Sequence, residues 1–315
     1  MTPLEEKLLS RCTLCPRACG AARLDGKTGR CGGGANARLA RAALHDWEAP
    51  CISGEEGSGT VFFSGCALGC GYCQNHTISQ ENQGLEVSDQ RLAQIFLELQ
   101  DQGANNINLV TAGHYLPQVL AALDLARPQL HIPVVYNSSG YETVESLRLL
   151  EGYVDIYLPD LKYLDPQRAG AYSSAPDYPQ VAKAALQEMF RQVGSVQWDD
   201  RGMLRRGMIV RHLVLPQGLE DTRAVLSWLA ENLPLEQVLV SVMSQYTPFY
   251  HSSRFPELGR RLSQEEYDQV LDLLEELGIE EGFVQELSSA QEEYTPDFAL
   301  QGVESPWQEP RPQEK

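Results

Sequence analysis

From Thr60 onward the chain alternates short apolar runs with longer stretches whose apolar residues recur at helical spacing. TVFFSG (60–65) predicts a short buried strand ended by Gly65, and RLAQIFLELQDQG (91–103) a helix that stops at Gly103. NINLVTAG (106–113) reads as a strand and YLPQVLAALDLARP (115–128) as a helix ending at Pro128. IPVVYNSSG (132–140) is a strand, and ETVESLRLLEG (142–152) a helix. YVDIYLPDLK (153–162) and MIVRHLVLPQG (208–218) are strands on either side of a long helical stretch, YPQVAKAALQEMFRQVG (178–194). TRAVLSWLAENLP (222–234) is a helix, QVLVSVMSQY (237–246) a strand and SQEEYDQVLDLLEELG (263–278) an amphipathic helix.

These strands are continuous apolar runs, the pattern of a parallel α/β sheet covered on both faces. Six of them are too few for a closed eightfold barrel, which leaves a partial barrel or a doubly wound sheet. In both, chemistry gathers at the C-terminal ends of the strands. Residues 1–50 lack this periodicity and form a cysteine-rich extension that cannot fold around a core of its own. The barrel segment is expected over 51–285. Residues 286–315 read as an acidic, Pro-rich, mobile tail.

Charge refines this division. The net charge is −18, which argues against simple nucleic-acid or anionic-membrane binding. Residues 264–315 hold fifteen carboxylates and two basic residues, whereas 11–41 hold seven Arg or Lys and one Asp. No apolar run approaches the roughly 18 residues of a transmembrane helix, and the first residues lack a signal-peptide core. A cytoplasmic location is expected. There, eight cysteines point to metal binding or catalysis rather than to disulfides.

Three of those cysteines fall within eight residues, CALGCGYC (66–73), directly after the first predicted strand. Four thiolates complete a [4Fe–4S] cube, and structural zinc also takes four ligands. Cys66, Cys70 and Cys73 in a Cys-x3-Cys-x2-Cys spacing leave one iron open to a substrate or cofactor. Gly65, Gly69 and Gly71 let the loop wrap tightly, and Tyr72 supplies an aromatic face beside the open position. A structural zinc or redox-thiol site is the alternative.

GCALGCGYCQN resembles the signature of the radical S-adenosylmethionine (SAM) superfamily, and residues 12–285 are most similar to relatives of pyruvate formate-lyase-activating enzymes. The resemblance implies a partial (βα)6 barrel and a [4Fe–4S] cluster whose open iron is chelated by SAM. One-electron reduction then cleaves SAM to methionine and a 5′-deoxyadenosyl radical, which abstracts hydrogen from a substrate. It also implies a one-electron donor protein such as flavodoxin or ferredoxin and, for an activating enzyme, a protein substrate carrying a glycine. A small-molecule substrate or another protein modification is the competing reading, and a non-catalytic metal-binding module a third. By position in the family's motifs, Asn137 of NSSG, Asp160 and Lys162 of DLK, and Arg211 of VRHLVLP become SAM contacts. After the second strand the family carries Gly-Gly-Glu, which receives the amino group of SAM. This chain reads Ala112-Gly113-His114 there, so Gly113 backbone groups and a neutral His114 are the candidates, with His114 as a plain helix-start residue the alternative.

Cys12, Cys15, Cys19 and Cys31 form a second array, expected to hold zinc or an auxiliary iron–sulfur cluster. The basic residues around it balance thiolate charge or, in the alternative reading, contact nucleic acid. Cys51 is a small buried residue, or reaches one of the two sites.

Overall fold

The computed structural model describes residues 3–285, 287 and 296–304. The N-terminal segment holds α1 (Pro3–Ser10) and then runs without regular structure, apart from one short 3-10 turn, to β1 (Ala37–His45). A short α2 (Pro50–Ser53) precedes β2 (Ser58–Phe63), every residue of which is buried. Next come α3 (His76–Ser79), β3 (Leu85–Val87), α4 (Asp89–Asp101), β4 (Ile107–Val110), α5 (Leu116–Ala126), β5 (Val134–Ser138) and α6 (Val144–Leu149). They are followed by β6 (Ile156–Pro159), α7 (Pro166–Ser173), α8 (Tyr178–Val193) and the two-residue β7 (Gln197–Trp198). The chain continues through β8 (Leu204–Leu213), α9 (Leu219–Asn232), β9 (Leu239–Met243), α10 (Gln264–Glu276) and β10 (Gly282–Val284).

Strands β2, β4, β5, β6, β8 and β9 pair in parallel in that order, joined by helical crossovers. This is the six-strand partial barrel. β10 extends it in parallel beyond β9, and β1 and β3 add antiparallel strands beyond β2, so the sheet stays open. β1 falls inside the segment expected as a separate extension, yet it is part of the barrel sheet. Its Ala-rich sequence, ARLARAALH, carries little strand propensity, and pairing on both sides supplies what propensity lacks.

Inward-facing side chains explain why chemistry sits at one end. At the lower level Val135, Ile156, Leu158, Ile209 and Leu239 pack in one apolar cluster with Cys51 and Ile52 of α2. Two residues further along, the same faces present Asn137, Asp160, Arg211 and Ser241, because side chains two apart share a face. α2 plugs the bottom, held by Asn106 Nδ2 on the Ile52 carbonyl (2.7 Å) and Asn105 Nδ2 on the Ser53 carbonyl (2.6 Å). Cys51 is thereby explained as a packing residue at the end remote from the strand C-termini.

The tail expected from 286 lies mostly outside the described residues, but 296–304 dock along β1 rather than moving freely. Leu300 N donates to the Ala40 carbonyl (3.1 Å), Ala42 N to the Gln301 carbonyl (2.8 Å), Phe298 packs edge-on against Phe62, and Val303 is buried. Gly302 permits this approach. Its φ is +72°, and a Cβ there would lie 2.0 Å from the Ala42 carbonyl oxygen. Gly302→Ala should therefore release the segment and speed hydrogen exchange at the Ala42 amide. Unchanged protection would show that docking does not depend on this turn.

Candidate active site

The loop after β2 carries the three cysteines over the C-terminal ends of the strands. Cys66, Cys70 and Cys73 line one cavity of about 250 Å³ together with Asn137, Ser138, Asp160, Lys162 and Arg211. All three thiols are free. Each is oriented by a different neighbour: Leu68 N donates to Cys66 Sγ (3.4 Å), Cys70 Sγ lies 3.0 Å from Ser173 Oγ, and Cys73 Sγ lies 3.1 Å from Ser79 Oγ. Burial, then the neighbouring Cys70, pushes the Cys66 thiol well up and the Cys73 thiol up to about 11. Such sulfurs stay protonated at neutral pH until a metal binds and displaces the proton.

Among the described residues no three His, Cys, Asp or Glu side chains form a ready-made metal cage, in either cysteine set. The donor set of the loop nevertheless fits an iron–sulfur cluster: three free, soft thiols on one cavity wall, with the Lys162 ammonium as a nearby balancing charge.

Opposite the loop lies a charged network. Asp160 accepts from Lys162 Nζ at 2.6 Å through Oδ2 and from the Arg211 guanidinium at 2.9 Å through Oδ1. Arg211 also donates to Asn137 Oδ1 (2.6 Å) and lies 3.5 Å from Glu48 Oε2. Burial alone would raise the Asp160 carboxyl, but Arg211 and then Lys162 outweigh it and hold it below its ordinary value. Tyr178 clamps the strand ends that bear these groups. Its one hydroxyl proton is shared between the Ser139 (2.8 Å) and Asp160 (2.9 Å) carbonyls, and its oxygen accepts from Lys162 N (2.9 Å). Thr111, also on the cavity wall, is held at φ +60°, a strained value for a β-branched residue.

Asn137, Asp160, Lys162 and Arg211, chosen from the sequence, thus meet the three cysteines in one cavity. Tyr72 lines an adjoining chamber of about 240 Å³, with Leu213, Met243, Tyr246 and Phe249. Its hydroxyl is hydrogen-bonded to that of Tyr163, which reaches Ser173 Oγ (3.1 Å), the neighbour of Cys70. Gly113 and His114 are not brought to the cavity. A Cβ on Gly113 would meet the side-chain ends of Glu142 and Tyr136 (2.5 and 2.8 Å), which would have to shift to admit it. His114 is buried on the other side, with Nε2 on the Ser64 carbonyl (2.8 Å), and its own carbonyl accepts from Arg23. The expected SAM contact of His114 does not match this placement. It ties the cysteine-rich segment to the base of the loop instead.

Sequence reasoning missed Glu48. It precedes α2, in a stretch with neither strand nor helix period, and enters the barrel from below. Asn108 and Asn137 both donate to its Oε1 (3.1 and 3.0 Å). Nothing in the local sequence DWEAPC marks it, since its partners come from β4, β5 and β8.

Burial, with Arg23 adding to it, pushes His114 down to about 4, against an ordinary value near 6.5. The unfolded chain therefore binds a proton between pH 6.5 and 4 that the folded chain refuses. This contribution to stability is complete above pH 6.5 and is lost as pH falls towards 4, on the order of 3 kcal/mol in all. Acid unfolding of His114→Gln should be less steep than wild type over that window, read by urea denaturation at several pH values. Identical pH slopes would place the acid sensitivity elsewhere.

Residues 60–193 match the family model described as the Radical SAM superfamily. A protein of Methanocaldococcus jannaschii, known as uncharacterized protein MJ0674, is 32% identical over 232 residues, covering 71% of this chain and 63% of the relative. The chain thus spans somewhat under two thirds of that protein's length. Among solved structures, Streptococcus suis SuiB bound to its precursor peptide SuiA is similar at 13% identity and a TM-score of 0.48, over 71% of this chain and 48% of SuiB. Methylornithine synthase (PylB) is similar at 13% identity and a TM-score of 0.47, over 70% of this chain and 68% of its own. At these scores the two structures carry no argument about chemistry. The matched segment runs from β2 through the three-cysteine loop to α8, so this part of the chain is similar to the Radical SAM superfamily over most of the residues that build the cavity.

Proposed function

We propose that this chain is a radical SAM enzyme that abstracts hydrogen from a substrate held in the chamber beside Tyr72. The observation that carries this reading is the convergence of three free thiols and the Asn137–Asp160–Lys162–Arg211 network on one cavity at the strand C-termini. Cys66, Cys70 and Cys73 would hold a [4Fe–4S] cluster, which when bound would supply the electron for reductive cleavage of SAM. The protein's own residues position and enclose. Arg211 and Lys162 offer cationic donors to a carboxylate or ribose hydroxyl, Asn137 and Ser138 offer neutral ones, and Leu213, Met243 and Phe249 keep the neighbouring chamber partly apolar.

For the substrate, the reading taken from the resemblance is a glycine of a partner protein, as in glycyl-radical activation. It is supported by Asp160 and Lys162, which stand in the cavity where the family's motif would put SAM contacts. A chamber of about 240 Å³ admits a narrow peptide turn, and equally a small molecule. Among the described residues no helix is long and apolar enough to cross a membrane, and an electron-donor protein such as flavodoxin or ferredoxin remains part of the proposal.

The Cys12, Cys15, Cys19 and Cys31 array is proposed to hold a second metal, zinc or iron–sulfur. Cys12, Cys15 and Cys31 are buried free thiols, Cys19 is exposed, and the segment has little regular structure. Arg23, 1% exposed, points its guanidinium at Cys31 Sγ (3.5 Å), and among the described residues no carboxylate pairs with it. A metal–thiolate centre would supply the missing negative charge. The segment also braces the catalytic loop: Arg17 Nε donates to the Ala67 carbonyl (2.9 Å), and the Cys31 carbonyl lies so close to Gly65 that a Cβ there would be 2.2 Å away.

Anaerobic reconstitution with iron and sulfide, then reduction with SAM, should yield 5′-deoxyadenosine from the wild-type chain. A Cys66→Ala, Cys70→Ala, Cys73→Ala triple variant should yield none, and continued SAM cleavage by it would refute the reading. In a separate measurement, metal analysis of Cys12→Ala should show loss of one zinc or of about four irons. Unchanged metal content would remove the second site.

A further inference from the structure

We propose that Glu48 is the carboxylate that receives the α-ammonium group of SAM, an inference that rests on the radical SAM reading above. SAM brings two positive centres into its site, the sulfonium and the ammonium, and an ammonium taken out of water needs an anionic or carbonyl partner. Among the described residues that line the cavity, the carboxylates are Glu48 and Asp160. Asp160 is already committed, with Lys162 on one oxygen and Arg211 on the other. Glu48 has close donors on one oxygen, both of them neutral amides, and only the distant edge of Arg211 on the other. Asn108 and Asn137 both donate to Oε1, whereas the contact to Oε2 is a long one, 3.5 Å from Arg211. Oε2 therefore keeps acceptor capacity in a carboxylate whose side chain is 12% exposed.

The position of that carboxylate is set before any ligand arrives. Glu48 N donates to Ser53 Oγ (3.1 Å), Ser53 Oγ donates to the His45 carbonyl (3.3 Å), and Asn105 and Asn106 hold α2 against the barrel floor. Two amide donors on one oxygen fix the rotation of the carboxylate as well. The end of β4 offers no competing carboxylate: Gly113 faces Glu142 on the far side of the sheet, and His114 is turned to Ser64. A negative charge that a strand-end residue would supply elsewhere is delivered here by the connection between β1 and β2.

The test uses the reconstituted full-length protein and two ligands, SAM and its analogue lacking the α-amino group, with affinities measured anaerobically by equilibrium dialysis. Glu48→Gln should retain the iron content of wild type and bind SAM about 10- to 100-fold more weakly, the loss expected for one charged hydrogen bond. Its affinity for the desamino analogue should stay within about threefold of wild type. Glu48→Asp, which keeps the charge on a shorter arm, should recover part of the SAM affinity. Equal losses for both ligands would make Glu48 a floor residue and overturn the proposal, as would unchanged SAM affinity in Glu48→Gln. A wild-type protein with an intact cluster that binds neither ligand would instead overturn the underlying functional reading, and this proposal with it.

Discussion

The polar half of the barrel depends on the Arg211 guanidinium. From β8 it reaches the Asp160 carboxylate after β6, the Asn137 amide on β5 and the Glu48 carboxylate below. Buried charges persist only when paired and hydrogen-bonded, and here two carboxylates and two cations neutralise one another around one cavity. Removing Arg211 would leave Asp160 with Lys162 alone and Glu48 with amide donors only. The network is costly to assemble and offers little stability for that cost. Its retention in the layer directly above an apolar one is what a binding site requires, since polar groups already desolvated and aimed need no reorganisation when a ligand arrives.

The three-cysteine loop depends on a second constraint, its backing by the N-terminal segment. Residues 66–73 have few hydrogen bonds of their own and lean on neighbours: Gly69 N and Gly71 N donate to the Ser173 and Tyr172 carbonyls, and Arg17 holds the Ala67 carbonyl. On the other face, Cys31 and His114 close against Gly65 and Ser64. The cysteine-rich segment and the three-cysteine loop are therefore two layers of one construction, and whatever orders residues 12–31 also orders the loop. Basic residues in that segment serve specific short-range contacts here, as Arg17 and Arg23 do, which accounts for part of its positive charge without a nucleic acid.

Much of this protein follows from its sequence by itself. The helices and the six parallel strands are local facts of period and punctuation, and each predicted element is found close to its expected place, with the strand expected over 208–218 shifted most, to Leu204–Leu213. The three-cysteine loop is equally local, because its spacing lies within eight consecutive residues. Asn137, Asp160, Lys162 and Arg211 are picked out by their resemblance to family motifs, and parallel strands deliver these terminal residues to one end of the sheet. What only the tertiary structure decided is whatever depends on partners distant in the chain. β1 has weak strand character and becomes a strand by pairing with β2 and β3; residues 296–304 look like a charged tail and are held by β1. His114 follows β4 in the expected place, yet the turn of the backbone points it at Ser64. Glu48 lies in an irregular connection with no pattern of its own, and its place in the site exists only because Asn108, Asn137 and Arg211, from three strands, meet around it. Periodicity encodes which face a residue takes within its own element; which loop fills the space between elements is set by packing across the whole barrel.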